Sequence, residues 1–375
     1  MSAVIDTDIA IIGGGSAGIS LARHLSALSN PPSTVVIEPK TPAQRDCSWA
    51  LWSKAANAEP YASAIKGSWS QWQLVDDHSA IVHSAEDYQY LSLSAADYLS
   101  ECEAQLASPV SLRRESVATI QACDNGGKVV TDQCAFNAKH IYDSRPPKHG
   151  NNDLRQHFLG WEIICAEPIS RPDIATLMDF RVDQSQGLHF MYVLPFSERH
   201  LLVESTLIST QLQDKSWYRN AIDQWLSTQG IVVQQQVREE FGVISLEPRS
   251  SENGRIGAAG GAVRRSSGYG FSTIQQQSRQ LARGIERGQY NVPRPFAKFL
   301  NPMDAIFNGV LIQHPQLAID LFMRTARALD ADQFARFMLG EAGVSIWSKV
   351  IAAMPKIPFL KQALLTSCRR RGSHE

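Results

Sequence analysis

The period of hydrophobic and polar positions changes several times along the chain, and each change marks an element. Residues 8–12 (Asp-Ile-Ala-Ile-Ile) form a short apolar run that predicts a buried strand. Gly13-Gly14-Gly15-Ser16-Ala17-Gly18 follow at once, and Ile19, Ala22, Leu25 and Leu28 then recur at helical spacing. A second apolar run, Thr34 to Ile37, ends in Glu38, 20 positions after Gly18. Strand, glycine turn, helix, strand and acid in this order are the fingerprint of a dinucleotide-binding βαβ unit. Gly13 permits the tight turn, Gly15 lets backbone approach a pyrophosphate, and Gly18 lets the helix pack on the strand. Ser16 and Ala17 belong to the helix N-terminus that faces the phosphates, and Glu38 can accept from a ribose hydroxyl.

Farther along, Ala95 to Ala107 predicts a helix. Ser116 to Ala122 and Lys128 to Thr131 predict a hairpin about Asp124-Asn125-Gly126-Gly127. Ile141 to Arg145 reads as a strand ending in a turn. The polar stretch Lys148 to Asp153 then reads as a crossing between domains. From 157 to 207 the alternation predicts strands at Phe158–Ile164, Leu188–Pro195 and Leu201–Thr206, an antiparallel sheet inserted into the nucleotide-binding domain. Helical spacing returns at Trp217 to Ser227. A second glycine cluster, Gly257-Ala258-Ala259-Gly260-Gly261 and then Gly268-Tyr269-Gly270, precedes a helix over Ser272 to Glu286. Gly260 and Gly268 are expected to close over the cofactor, since small residues before a helix suit close approach of backbone to phosphate. Phe296 to Leu365 is helix-rich, and a basic cluster at Cys368 to Arg371 follows. The expected organisation is a discontinuous nucleotide-binding domain (1–155 and 250–295), a substrate sheet (156–249) and a helical C-terminal region (296–375).

With 43% hydrophobic and 19% charged residues over 375 positions, the chain can bury a sizeable core, which excludes disorder as its dominant state. Lys and Arg number 36 against 37 Asp and Glu, so a general nucleic-acid binder is not expected. The six cysteines are scattered without a C-x-x-C pair, and His189 and His200 lack a third donor at ligand spacing, so neither a disulfide framework nor a metal is expected. No signal-peptide pattern opens the chain and no apolar run is long enough to span a bilayer, so a cytoplasmic enzyme is expected. Apolar stripes at Phe296–Phe307 and Ile346–Leu365, with Lys349, Lys356 and Lys361 nearby, leave open a peripheral contact with the inner face of the cell membrane.

Gly13 to Gly18 with Glu38, and the second glycine cluster roughly 240 residues later, resemble the split FAD-binding arrangement of the flavoprotein hydroxylase and reductase superfamily. The text between is narrower. Asp46-Cys47-Ser48-Trp49-Ala50-Leu51-Trp52, Gln156 to Glu162, Met178 to Arg181, Phe190 to Ser197, Leu202 to Thr206, Glu240 to Ile244 and Ser267-Gly268-Tyr269 resemble segments of the lycopene cyclases, in family order. Departures occur where Ser245 stands for the family's usual Pro, where Ser205 stands for an acid, and where Val263 to Tyr269 (with Arg264 and Arg265) stands for a His-Pro-x-Thr-Gly-Tyr-like run. These departures are expected to mark a changed substrate end.

The resemblance implies an α/β fold: a Rossmann-like, three-layer FAD/NAD(P)-binding domain with an inserted antiparallel substrate sheet. It implies reduced FAD as cofactor, NAD(P)H as electron donor, and a redox-neutral cyclisation of a polyene such as lycopene, giving β-ionone-type rings. Such chemistry needs a strong acid in a dry cavity with electron-rich walls. Glu204, in the Leu-Val-Glu run, is the candidate acid, because apolar neighbours favour its protonated form. Tyr192, Phe190 and Phe196 are candidates to face a cation, Trp49, Trp52 and Trp161 to line a tunnel, and Asp179 with Asp183 to act together. The competing readings are an FAD/NAD(P)H-dependent monooxygenase or prenyl reductase, and a non-catalytic flavoprotein.

Overall fold

The computed structural model describes residues 4–372 apart from 124, 125, 147 and 149. The chain opens with β1 (Val4–Ile12), β2 is Thr34–Ile37, and later come β8 (Val110–Arg113), β9 (Val117–Cys123), β10 (Gly126–Thr131) and β11 (Ala135–Asp143). They form one sheet in the order β8-β2-β1-β11-β10-β9. The first four strands are parallel, and β10 and β9 add antiparallel to one edge. Ile9 to Ile12 are all buried because both faces are covered, which is why this strand reads as a continuous apolar run. Ile9 and Ile11 pack with Leu21 of α1 (Ser16–Ser26) and Leu281 of α4 (Phe271–Glu286), whereas Ala10 and Ile12 pack with Val129 and Phe136. The β9–β10 pairing matches the expected hairpin, although its Asp124-Asn125 turn lies outside the described residues.

A smaller sheet, of β3 (Ser48–Lys54), β4 (Ile65–Trp69) and β7 (Tyr88–Ser94), has β7 at its centre. Ser94 caps the following α2 (Ala95–Ala104), its hydroxyl accepting from the Asp97 amide at 3.2 Å.

The third sheet holds the interest. Its strands are β5 (Gln71–Val75), β6 (Ala80–Ser84), β12 (Arg155–Cys165), β13 (Ile174–Asp179), β14 (Leu188–Pro195), β15 (His200–Ser209) and β16 (Val233–Ser245). The order is β16-β12-β15-β14-β13-β5-β6. The segments expected as strands between 157 and 207 are strands, and the sheet differs from expectation at one edge. β5 and β6 come from residues 71–84, inside the segment expected to belong to the nucleotide-binding domain, and β5 pairs parallel to β13, so the sheet is mixed. In this position Trp72 and Leu74 are fully buried in the core shared with Ala175 and Leu177 of β13, which favours the pairing. One face of the sheet is covered by α3 (Lys215–Thr228), through Tyr218, Ile222 and Trp225. Part of the opposite face borders a cavity, and its β5–β6 end packs directly on α6 (Ala318–Ala328), which shares a core with α5 (Leu300–Gln313), α7 (Ala331–Leu339) and α8 (Val344–Ala353); α9 (Lys356–Gly372) follows. No helix among the described residues is long and apolar enough to cross a membrane.

Candidate active site

The glycine turn after β1 is built as its sequence demands. Gly13 has φ +86°, the left-handed region that favours glycine. A Cβ on Gly18 would lie 1.9 Å from the Gly13 carbonyl oxygen, so no side chain fits where α1 crosses the turn. A Cβ on Gly15 would meet nothing within 4 Å. Its space is open, as a loop approached by a ligand requires. Ser16 and Ala17 start α1, and Glu38 sits at the end of β2 with Oε2 accepting from the Gly14 amide at 2.9 Å and Oε1 from Lys40 at 2.9 Å. Each oxygen keeps a lone pair for a further donor, such as a ribose hydroxyl. In the second cluster Gly257 has φ +64°, and its missing Cβ leaves room for Ala17, whose Cβ would stand 2.5 Å away. Gly260 is packed against the Arg255 carbonyl, and Gly268, with φ +74°, stands against Gln156. The open space at Gly15 and the free acceptor capacity of Glu38 therefore fit a dinucleotide, whereas Gly260, enclosed against the Arg255 backbone, does not line the adjoining cavity where it was expected to close over the cofactor.

From Ser16 a cavity of about 420 Å³ runs along Gly268 to the face of the large sheet, where Glu204 and Tyr192 line it. Strand pleating decides which side chains reach it. Gln156 and Phe158 on β12, Phe190 and Tyr192 on β14, Glu204 and Thr206 on β15, and Glu240 and Gly242 on β16 share this face, each two residues from the next. Gly160 lies opposite Glu204 on one side and Glu240 on the other. A Cβ on Gly160 would stand 2.7 Å from Glu204 Cγ, so this glycine clears the floor between the two carboxyls.

The pair is asymmetric. Glu240 forms an ion pair with Arg238 at 2.8 Å and accepts from the Ser48 amide at 2.9 Å through Oε2. Its Oε1 is buried and finds no donor among the described residues unless Glu204 carries a proton. Burial, followed by the Glu240 charge and the hydrogen bond to it, holds the Glu204 carboxyl well above its ordinary 4.5, with Arg238 acting in the opposite sense. Arg238 is itself anchored by Glu162 at 3.0 Å, and Glu162 also binds Lys66 at 2.6 Å and His200 at 2.8 Å. Glu204 is thus held toward its protonated form in a largely apolar chamber.

The far wall is aromatic. Tyr90 Oη lies 2.8 Å from Tyr192 Oη and 2.7 Å from Tyr269 Oη, and burial holds all three phenols above their ordinary value. Trp52 backs them, with ring centroids 4.7 Å from both Tyr90 and Tyr269. Cys47 also lines the chamber, but burial pushes its thiol up to about 12, which leaves no thiolate nucleophile.

The expected residues divide. Glu204, Tyr192, Phe190, Trp49, Ser16 and Gly268 line the cavity. Trp52 stands behind its wall, fully buried. Phe196 packs instead on Trp69 and Lys66, and Trp161 faces the α3 side, donating to Glu239 at 3.1 Å. Asp179 and Asp183 do not act together: Asp179 is buried against Arg181 (2.7 Å) and Trp225 (3.0 Å), and Asp183 holds a turn through Ser185. Ser205 points away from the cavity and bonds His189 Nε2 at 2.8 Å. That departure therefore does not touch the substrate end. Glu240, Tyr90 and Tyr269 join the site without having been singled out for a role. Glu240 could have been found from its position in the Glu-Phe-Gly-Val-Ile segment, but its partner across β12 needs the strand register.

Residues 8–363 match the family model described as lycopene cyclase protein. The chain belongs to the lycopene cyclase family. A lycopene beta-cyclase of Pantoea ananas is 35% identical over 94 residues, which is 24% of this chain and 24% of that protein. The chain thus aligns with about a quarter of this curated relative. Across the whole fold, this lycopene cyclase family member is similar to a geranylgeranyl bacteriochlorophyll reductase-like protein of Thermoplasma acidophilum. That match has TM-score 0.66 at 14% identity, over 97% of this chain and 100% of the other. It is also similar to a flavoprotein/dehydrogenase of Cytophaga hutchinsonii, with TM-score 0.61 at 13% identity over 97% and 100%. The fold is therefore the α/β, Rossmann-type fold of such flavoproteins, with a C-terminal helical region.

Proposed function

We propose that this protein is an FAD-dependent, redox-neutral cyclase that closes a β-ionone-type ring at the end of a polyene such as lycopene. The observation that carries this reading is the buried Glu204 carboxyl, set beside Glu240 across Gly160 and facing a chamber that continues back to the turn at Ser16. Gly13, Gly15, Gly18 and Glu38 would hold the FAD, with Gly268 beside it. Bound and reduced, the flavin would supply negative charge beside a developing cation, NAD(P)H being its source of electrons.

The protein's own residues do the rest. Glu204 gives its proton to the terminal C=C, and a tertiary carbocation forms. The neighbouring double bond attacks it, making the ring C–C bond. Loss of a ring proton, to the Glu204 carboxylate, then restores the acid. Atoms and electrons balance as an isomerisation. Glu240, fixed by Arg238, keeps the Glu204 proton directed and its affinity high. Tyr90, Tyr192 and Tyr269 present π faces whose orientation their shared hydroxyl contacts fix, which favours a nearby cation. We also assign to the lipid surface the exposed side chains of Ile351, Ile357, Leu360 and Leu364, where a polyene would be collected.

The test is expression in a lycopene-accumulating bacterium with chromatography of the pigments. Cyclised carotenoid from the parent and none from Glu204→Gln supports the reading. A product reduced or oxygenated at the expense of stoichiometric NAD(P)H would instead favour a reductase or monooxygenase.

A further inference from the structure

A second cavity, of about 240 Å³, lies within the C-terminal helices. Its walls include Met303, Phe307, Phe337 and Val350, and its rim includes Ile351 and Leu360, both exposed. The inner end is different. Arg264, 2% exposed, lies there with its guanidinium 4.6 Å from the Phe337 ring and 5.9 Å from that of Trp347. Nη2 lies 3.5 Å from Asp304, so the charge is already balanced. Nε and Nη1 are buried and have no hydrogen-bond partner among the described residues. The same is true of the Ser267 hydroxyl and the Trp347 indole N–H. All four atoms belong to residues of this one cavity. Each can donate, so what these four atoms lack is an acceptor. Buried donors left unmatched are costly, and water alone would have to be held in an otherwise apolar space.

We infer that this cavity binds the oxygenated end of an apolar, terpenoid-type chain, with a neutral carbonyl or hydroxyl oxygen held by Arg264 and Ser267. Neutrality follows from Asp304, which already balances the guanidinium and would repel a carboxylate. Ser267 also lines the first cavity, so the two chambers share a wall at this residue. Arg264 stands in the run where the chain departs from the lycopene cyclase pattern, which places the changed substrate end here. The terpenoid character of the ligand rests on the cyclase reading. The site itself does not, because its test needs no turnover.

The experiment is titration calorimetry on the full-length protein as purified, with farnesal, farnesol, farnesoic acid and the hydrocarbon farnesene as probes. Farnesal and farnesol should bind at least about tenfold more tightly than farnesene, the effect of one or two hydrogen bonds to a charged donor. Farnesoic acid should bind no better than the alcohol. In Arg264→Met/Asp304→Leu, which leaves no charge buried alone, the preference for oxygen should fall to near unity. Ser267→Ala, a smaller change, should reduce it by roughly threefold. Equal binding of farnesal and farnesene by the parent would overturn the proposal, as would tighter binding of the acid or a preference that survives in both variants. Loss of cyclisation in Glu204→Gln with the oxygen preference retained would show the two sites to be separable. Absence of cyclisation in the parent with that preference intact would remove the cyclase reading alone.

Discussion

The two faces of the large sheet use the same strands for opposite ends. On the α3 face, buried polar groups are fully partnered: Asp179 between Arg181 and Trp225, His189 between the Asp183 carbonyl and Ser205, His157 against Tyr218. Because a carbonyl only accepts, His189 Nδ1 must donate to Asp183 and Nε2 must accept from Ser205. On the cavity face, one residue away along β15, Glu204 shares a buried chamber with a second carboxyl. The first arrangement lowers the free energy of the fold. The second stores an unfavourable electrostatic relation and favours the protonated form of Glu204.

That contrast breaks most visibly by substitution at neighbouring positions of β15. Glu204→Gln should cut cyclised product at least about 100-fold while flavin stays bound, the scale of removing a general acid. Ser205→Ala should leave turnover nearly unchanged and cost about 1 kcal/mol in thermal or chemical unfolding. Equal losses of activity in the two variants would erase the distinction between the faces. The glycine turn allows a second pair. Gly15→Leu should give folded protein without flavin, read by absorbance after denaturation, because its side chain would occupy only ligand space. Gly18→Leu should fail to fold, since its Cβ has no room. Folded Gly15→Leu with full flavin would refute the placement of the cofactor.

Glu240→Gln removes the charge that helps raise the Glu204 carboxyl. On the proposed mechanism Glu204 acts in its protonated form, so the rate should fall as pH rises through its raised value. That descending limb should move to lower pH in the variant. The same shift acts on stability. Above about 4.5 the unfolded chain releases a proton that the folded protein retains, so stability is lost as pH rises from there toward the folded value. Glu204→Gln should remove up to about 1.4 kcal/mol per pH unit of this dependence, measured by denaturant unfolding between pH 5 and 8. The smallest effect is expected at the helical surface. Ile357→Glu/Leu360→Glu should reduce sedimentation with anionic vesicles several-fold without lowering flavin content.

Much of the nucleotide-binding part was legible because its signals are local: Gly13 to Gly18 and Glu38 specify their own geometry within one βαβ unit. The cavity position of Glu204 was signalled chiefly by the Leu-Val-Glu resemblance, since an acid among apolar strand residues by itself reads equally as a structural carboxylate. Its relation to Glu240 was not, because two carboxyls 36 positions apart in the chain meet only through the register of β15 and β16 on either side of β12. Tyr90 and Tyr269 were hidden for the same reason, being joined to Tyr192 across three segments. Trp52 and Phe196 show the converse limit: aromatic residues in the right segment still divide into wall, backing and distant packing according to pleat parity.

The parallel pairing of β5 with β13 bears on how this chain can be cut or assembled. Residues 71–84 complete the edge of a sheet whose other strands begin at residue 155, so separation at position 155 yields two fragments that each lack part of one hydrogen-bonded layer. The N-terminal fragment would carry Trp72 and Leu74 without the part of their core that comes from β13 and the C-terminal helices. During synthesis the same two strands must wait for about a hundred residues to emerge before their parallel partner exists, a long-range closure of the kind that slows folding. Coexpressed halves should therefore be recovered as a complex or as insoluble protein, and a permuted chain that brings β5 and β13 closer in sequence should refold faster.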